Sequence, residues 1–193
     1  MADEKQIPTF DESLKEHEGF GLIQVFTGNG KGKTTAALGE VLRAVGAKKQ
    51  VGIVFFDKGG ENYRERPILE SLGVTIVATG RDRIDPATGR FDFSINTFDR
   101  EEVLRGIETI ELFFEKGVDL VVADELNSCL GLNMIDAERV LTLMDQKPAQ
   151  TELVLTGRNA PEPIVERAHL VTEMVLKKHY FYSGVKAREG IDY

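Results

Sequence analysis

The sequence predicts a single α/β domain: a mostly parallel sheet of about six strands with helices on both faces. Three observations carry this. Short apolar runs alternate with helical segments from residue 22 to residue 176, the pattern of a sheet threaded by crossover helices. The first runs are apolar at consecutive positions rather than at every second one, as strands covered on both faces are. The length of 193 residues suits one such domain, and 41% hydrophobic against 29% charged residues is the balance of an ordinary soluble globule.

The elements follow in order. Residues 1–20 are polar and charged, with Ile7, Phe10, Leu14 and Phe20 as scattered apolar side chains. They form an arm ahead of a domain that begins at Gly21. The arm is either loosely docked or a short amphipathic segment that covers a site or a partner subunit. Residues 22–27 are the first strand, and residues 34–45 the first helix, with Gly46 as its stop. Residues 51–56 are the second strand, and Asp57-Lys58-Gly59-Gly60 lies just past its carboxyl end. A helix over 62–72 ends at Gly73, and 74–78 is the third strand. Residues 79–97 carry Gly and Pro and no helical period; a loop this long in a compact domain is often functional. A helix over 98–116 follows, with Asn96 or Thr97 as N-cap. The fourth strand spans 118–124, a short helix 136–145 and the fifth strand 152–156. A helix over 163–168 and a sixth strand over 170–176 lead to an irregular tail from His179. In such sheets ligands sit at the carboxyl ends of the strands. Segments 27–35, 57–60, 79–97, 124–129 and 156–161 all leave that side and should converge on one cleft.

Residues 27–35 read Thr27-Gly28-Asn29-Gly30-Lys31-Gly32-Lys33-Thr34-Thr35, between the first strand and the first helix. This is a phosphate-binding loop, and the fold is P-loop NTPase-like. Glycines let successive N–H groups turn inward as an anion nest. The start of the helix adds positive potential. Lys33 supplies a point charge, and the Thr34 hydroxyl is placed to ligate Mg²⁺. A Gly/Lys-rich turn without a ligand has the same composition, but the strand and helix around this one argue for a nucleoside triphosphate. The usual spacing, G-x-x-x-x-G-K-[ST], would put glycine at 27. Here Thr27 stands there, glycines fall at 28 and 30, and a second lysine, Lys31, lies inside the loop. The altered spacing points to a non-standard pose of the triphosphate.

Asp124 and Glu125 end an apolar strand, where a carboxylate partner of the loop holds Mg²⁺. The alternative is a solvated strand end. If the strand continues through both residues they point to opposite sides, and one of them reaches the metal. Arg158, leaving the fifth strand, has the planar fork that clamps phosphate; the alternative is a solvent-exposed turn arginine. Arg43 reads as a surface or interface charge. Cys129 reads as a buried structural thiol, and His17, His169 and His179 as unrelated to one another. A net charge of −8 argues against a nucleic-acid binder, and no apolar stretch reaches the ~20 residues that span a membrane. The first twenty residues do not resemble a secretory signal, and a single cysteine fits a reducing cytoplasm.

Five blocks occur in order: the loop with its flanks (Phe26 to Gly39), Asp124-Glu125-Leu126, Thr156-Gly157-Arg158-Asn159-Ala160-Pro161, Leu170-Val171-Thr172-Glu173-Met174, and Gly184-Val185-Lys186-Ala187-Arg188-Glu189-Gly190-Ile191-Asp192-Tyr193. Together they resemble the P-loop type ATP:corrinoid adenosyltransferases, from about Gly21 to the last residue. The resemblance implies that a reduced corrinoid attacks the 5′ carbon of ATP through cobalt(I), giving an adenosylcorrinoid and inorganic triphosphate. The nucleophile is then the substrate's own metal, and no general base is called for. The family binds ATP in the reverse direction along its loop, which fits the shifted glycines. By position, Gly28, Asn29, Gly30, Lys31, Gly32, Lys33, Thr34 and Thr35 would cradle the triphosphate. Lys33 and Arg158 would act on it catalytically, and Thr34, Asp124 and Glu125 would serve Mg²⁺. The resemblance also implies a cytoplasmic homodimer, an electron-donor flavoprotein, and an N-terminal segment over the corrinoid site, a part Leu14 to Phe20 could play. Better-known members place a Phe and a Trp after the third strand to help remove the lower cobalt ligand. This chain has no tryptophan and reads Arg81-Asp82-Arg83-Ile84-Asp85 there, with Phe91 or Phe93 as substitutes. Two other classes remain open on the residues alone. One is a P-loop ATPase or small-molecule kinase, with Asp82 or Asp85 as base; the other is a non-catalytic adenosylcorrinoid binder.

Overall fold

Six strands form one sheet, and every pairing in it is parallel. The structure is a computed structural model that describes residues 11–83, 92 and 94–192. Ile7, Phe10, Ile84, Asp85, Phe91, Phe93 and Tyr193 lie outside the described residues. In chain order the elements are β1 (Ile23–Thr27), α1 (Lys33–Gly46), β2 (Val51–Phe55), α2 (Glu65–Ser71), β3 (Thr75–Ala78), α3 (Thr97–Glu115) and β4 (Leu120–Asp124). They continue as α4 (Leu126–Gly131), α5 (Ala137–Gln146), β5 (Glu152–Thr156), α6 (Glu162–Arg167) and β6 (Leu170–Glu173). Short 3-10 turns lie at Glu12–Leu14 and Tyr180–Ser183.

The strand order is β3-β2-β4-β5-β1-β6. The central strands β2, β4 and β5 are buried at all five positions, which is why they read as unbroken apolar runs. Successive side chains feed two separate cores. Phe26, Ile53, Phe55, Leu120, Val122 and Val154 pack under Ala37, Val41 and Ala44 of α1 and Leu69 of α2. Val25, Val54, Val121, Ala123, Leu153 and Leu155 pack under residues of α3, α4, α5 and α6, among them Ile107, Cys129, Leu143 and Ile164. Helices therefore cover both faces.

The register brings the reactive strand ends level. Phe26 pairs with Thr156, and Phe55 pairs with Asp124. β5 lies between β1 and β4, so the end of β5 separates the phosphate loop from the acidic strand end.

Three local expectations change. The first helix does not stop at Gly46; its cap is Ala47, and Lys48 takes the left-handed turn at φ 61°. Gly73, at φ 86°, does end α2 as expected. β6 stops at Glu173, three residues early, because Met174 turns to the phosphate loop. Its four residues are exposed, as befits an edge strand. α4 was not foreseen: six residues are too short to show a helical period. Asn96 is the N-cap of α3, in a capping box with Asp99.

Candidate active site

The phosphate loop is shaped by β6 as much as by any ligand. Gly28 has φ 93° and Gly32, the N-cap of α1, has φ 124°. The Met174 N–H donates to Thr27 O at 2.9 Å, and the Gly30 N–H donates to Met174 O at 2.6 Å. A Cβ on Gly28 or Gly30 would stand 2.6 or 2.7 Å from that same carbonyl oxygen. Both displaced glycines thus have a packing cause, the close passage of the chain leaving β6. The sequence pointed only to the triphosphate pose. The Gly30 N–H is already taken, so fewer loop N–H groups face a ligand than composition suggests.

Lys33 is 6% exposed and turned back into its own loop. Its Nζ donates to Gly28 O at 2.7 Å and to Gly30 O at 2.8 Å. Burial pushes its pKa below the ordinary lysine value; Glu125 pulls it up, and Arg158 and Lys58 push it further down. Lys31 points the other way. Its Nζ donates to Ile191 O at 2.8 Å and to Asp192 Oδ1 at 2.7 Å. The tail is therefore tied to the loop rather than irregular. Asp192 also accepts from the Tyr180 hydroxyl and from Arg188 Nε. An open groove of about 400 Å³ runs beside the loop, between Lys31 and residues 175–180.

The acidic strand end is organised around a lysine. Asp124 is fully buried; its Oδ1 accepts from the Thr156 hydroxyl at 2.7 Å and its Oδ2 from Lys58 Nζ at 2.5 Å. The strand does not continue through Glu125, which takes a left-handed φ of 66° and starts α4. The two acids consequently do not diverge. Glu125 Oε1 lies 3.7 Å from the same Lys58 Nζ, and Thr34 Oγ1 lies 3.2 Å from it. One ammonium thus gathers Thr34, Asp124 and Glu125. Burial alone would lower the pKa of Lys58, but Asp124 and Glu125 outweigh it and hold the ammonium above the usual lysine range. Lys58 was noted in sequence only as part of a strand-end segment. The signal that could have found it is a lone lysine directly after a buried strand, beside a strand that ends in two acids.

The loop after β5 completes the cleft. Glu125 N–H donates to Thr156 Oγ1 at 3.0 Å, and the Ser128 hydroxyl donates to Glu125 Oε2 at 2.5 Å. Arg158 N–H donates to Ser128 Oγ at 2.9 Å, and Ala160 N–H to Thr27 Oγ1 at 3.2 Å. Gly157 is required here: at φ 134°, a Cβ would stand 2.5 Å from Ser128 N. These bonds fix the backbone of Arg158, whose side chain is exposed. The expected convergence of the strand-end segments holds for their described residues, with the exposed Asn29 and the buried Gly30 on the loop and Thr35 inside α1.

The segment after β3 is held by a second charged cluster. Arg83 is 5% exposed; its Nε donates to Asp57 Oδ1 at 2.7 Å, and its second terminal nitrogen lies 3.5 Å from Asp99 Oδ1. Arg81 pairs with Asp99 at 3.0 Å and with Asp92 at 2.6 Å. Both arginines are thus bound to carboxylates. Gly59 and Gly80 let the 57–60 and 80–83 loops touch backbone to backbone. Arg66 donates to Lys58 O at 2.5 Å and stacks on the Tyr63 ring at 4.1 Å.

Other candidates lie apart from the cleft. Cys129 is buried, and burial pushes its thiol well above the ordinary range. His169 Nδ1 accepts from Ile23 N–H at 2.9 Å at the amino ends of the strands, and His179 caps the 3-10 turn at Tyr180–Ser183. Arg43 is exposed on α1. Among the described residues no three His, Cys, Asp or Glu side chains form a metal cage, and no helix is long and apolar enough to cross a membrane. Phe20 packs under Lys49, whose Nζ is 5.1 Å from its ring, and Gly21 meets Ala149. The described part of the arm thus lies at the amino ends of the strands, opposite the phosphate loop of its own chain.

Comparison with known proteins agrees with this geometry. The family model described as ATP:corrinoid adenosyltransferase BtuR/CobO/CobP matches residues 19–193. A corrinoid adenosyltransferase of Escherichia coli K12 is 38% identical over 180 residues, covering 90% of this chain and 86% of that protein. Corrinoid adenosyltransferase CobA of Salmonella typhimurium is 37% identical, with 90% and 86% covered, and a corrinoid adenosyltransferase of Pseudomonas aeruginosa is 34% identical, with 100% and 90% covered. The KaiC-like protein PH0186 of Pyrococcus horikoshii shares the fold at a TM-score of 0.51 and 20% identity, with 90% of this chain and 80% of that one covered. With its loop, acidic strand end and tail all inside the matched span, this chain belongs to the ATP:corrinoid adenosyltransferase family.

Proposed function

We propose that this chain transfers the 5′-deoxyadenosyl group of ATP to the cobalt(I) of a reduced corrinoid. The cobalt electron pair forms the Co–C5′ bond, the C5′–O bond breaks, and inorganic triphosphate leaves with the bond electrons. The observation that carries this reading is the pairing of charges in the cleft. Lys33 and Arg158 offer cations to a triphosphate, while Asp124 and Glu125 are both committed to Lys58. Such a site holds and neutralises a leaving group; it does not offer either of those acids as a base for an acceptor hydroxyl.

Thr34, Asp124 and Glu125 fit Mg²⁺: they are hard oxygen donors, and they already converge on one cation, the Lys58 ammonium. When bound there, Mg²⁺ would neutralise phosphate charge on the departing triphosphate. Lys33 and Arg158 bind phosphate oxygens, and residues 28–35 orient the chain of phosphates so that C5′ faces the corrinoid. Turning Lys33 from the carbonyls of Gly28 and Gly30 to the phosphates is part of binding. The reading extends to a cytoplasmic homodimer, with residues 14–20 of one copy covering the corrinoid of the other, and to a flavoprotein as electron donor.

An anaerobic assay with ATP, Mg²⁺, a chemical reductant and a series of corrinoids tests the reading. The expected result is growth of the cobalt–carbon absorbance with stoichiometric triphosphate. ADP formed without corrinoid would instead make the chain an ATPase or kinase, and tight corrinoid binding without turnover would make it a carrier.

A further inference from the structure

The place proposed for a divalent cation already has a cation of the protein's own. Lys58 Nζ lies 2.5 Å from Asp124 Oδ2, 3.2 Å from Thr34 Oγ1 and 3.7 Å from Glu125 Oε1. Mg²⁺ binds its oxygens at about 2.0–2.1 Å. A metal on Asp124 Oδ2 would share that oxygen with the ammonium and repel it at close range, in a pocket where Asp124 is fully buried and the Lys58 side chain only 16% exposed.

We propose that Lys58 and the divalent cation compete for these three oxygens, and that the Lys58 ammonium is handed to the triphosphate when metal and nucleotide enter together. This rests on the adenosyltransferase reading of the site. The backbone of Lys58 is pinned at both ends: its N–H donates to Thr79 O at 3.0 Å, and its carbonyl accepts from Arg66 at 2.5 Å. Motion is therefore confined to the side chain, a long flexible stem. Its Nζ already touches Thr34, the residue after Lys33, at 3.2 Å, so a shift toward the loop brings it onto the anion that Lys33 serves. Metal alone is opposed by the ammonium. Metal with triphosphate is favoured, because the ligand supplies the charge that Lys58 gives up. The two affinities are then coupled, and the coupling is reciprocal.

The test uses the whole chain and Mn²⁺ as the probe, with free Mn²⁺ followed by electron paramagnetic resonance. Lys58→Met should bind Mn²⁺ without nucleotide at least tenfold more tightly than the unaltered chain. The same variant, with Mg²⁺ saturating, should bind ATP at least tenfold more weakly. A purely structural role for Lys58 would weaken both. A thermal melt confirms folding; should Lys58→Met not fold, Lys58→Gln, whose amide can still donate to Asp124, takes its place with the same expected signs. Mn²⁺ affinity equal to or below that of the unaltered chain would overturn the competition, and unchanged ATP affinity would overturn the handover. Neither readout contains corrinoid. A chain that shows both shifts yet fails to adenosylate would defeat the enzymatic reading and leave the role of Lys58 standing.

Discussion

The Thr156 hydroxyl donates to Asp124 Oδ1 at 2.7 Å, and its own oxygen, Thr156 Oγ1, accepts the Glu125 N–H at 3.0 Å. One side chain at the end of β5 thus orients the buried acid of β4 and fixes the left-handed turn that follows it. Thr156→Val keeps the shape and removes both bonds. A buried acceptor and a backbone donor are left without partners, at a cost of about 1–3 kcal/mol in a urea titration. Mg-ATP affinity should fall with it, because Asp124 and Glu125 lose their shared reference. Thr156→Ser should restore most of both. If the Val variant matched the unaltered chain in both measurements, the orienting role would be lost.

The glycines of the loop make different predictions from a glycine in the helix after it. Gly28→Ala places Cβ 2.6 Å from Met174 O at φ 93°, and Gly30→Ala places it 2.7 Å from the same oxygen. Each should cost about 1–3 kcal/mol through strain and displacement of the chain after β6. Met174→Ala should not relieve either, since the clash is with backbone. Gly39, inside α1, has nothing within 4 Å of its Cβ position. Gly39→Ala should therefore stabilise the fold by up to about 1 kcal/mol. Chemical denaturation of the three variants separates packing from ligand-imposed spacing.

Arg83 is the member of the post-β3 cluster whose loss should matter most for folding. It is 5% exposed and lies between Asp57 and Asp99. Arg83→Met leaves Asp57 uncompensated, while Asp99 keeps Arg81, at a cost of about 3–5 kcal/mol. Burial already raises the pKa of Asp57, and the hydrogen bond and charge of Arg83 hold it down. Without Arg83 the raised value climbs further. A carboxyl raised in the folded state binds its proton more tightly there, so stability falls as pH rises through that range. The deficit of the variant should thus be larger at pH 7 than near pH 4.5. A deficit independent of pH would place the damage elsewhere.

The fold was legible because the buried strands announce themselves and the glycine-lysine loop marks where the first strand yields to the first helix. Lys33, Thr34, Asp124 and Glu125 could be named from order alone, since a parallel sheet puts strand ends on one edge. What order could not supply is pairing across the sheet. Nothing in the sequence places Lys58 between Thr34 and Asp124, because that follows from β2 lying beside β4, with Phe55 level with Asp124. The shifted glycines likewise have a packing cause that order could not supply, the Met174 backbone against Gly28 and Gly30. The arginines at 81 and 83 stand out in the sequence, but their carboxylate partners, at 57, 92 and 99, are scattered along the chain.

Lys33→Ala should separate binding from chemistry. The ammonium now satisfies two buried loop carbonyls, so removing it should cost about 1–3 kcal/mol of stability. Triphosphate release in a single turnover should slow by about 10²–10³-fold, the usual loss of one donor to a developing anion. Lys33→Arg should not restore it, because the bulkier guanidinium does not fit the 6% exposed position. A rate within threefold of the unaltered chain would remove Lys33 from the mechanism.

The tail gives a prediction about pH. Asp192 accepts from Lys31, Tyr180 and Arg188, and these bonds hold its carboxyl well below the ordinary carboxylate range, the Lys31 bond foremost. A carboxyl depressed in the folded state contributes its stability in full above its unfolded value, about 3.9, and loses it as pH falls through the folded one. Docking of residues 180–192 on the loop should therefore be constant from pH 8 to pH 5 and weaken only in strong acid. The contact is exposed, so its loss should leave the global unfolding midpoint unmoved. Asp192→Asn should speed amide exchange over 180–192 and free Lys31 at neutral pH, without altering exchange in β1 or β5. Docking that instead weakened between pH 7 and 6 would remove Asp192 as the group that governs it.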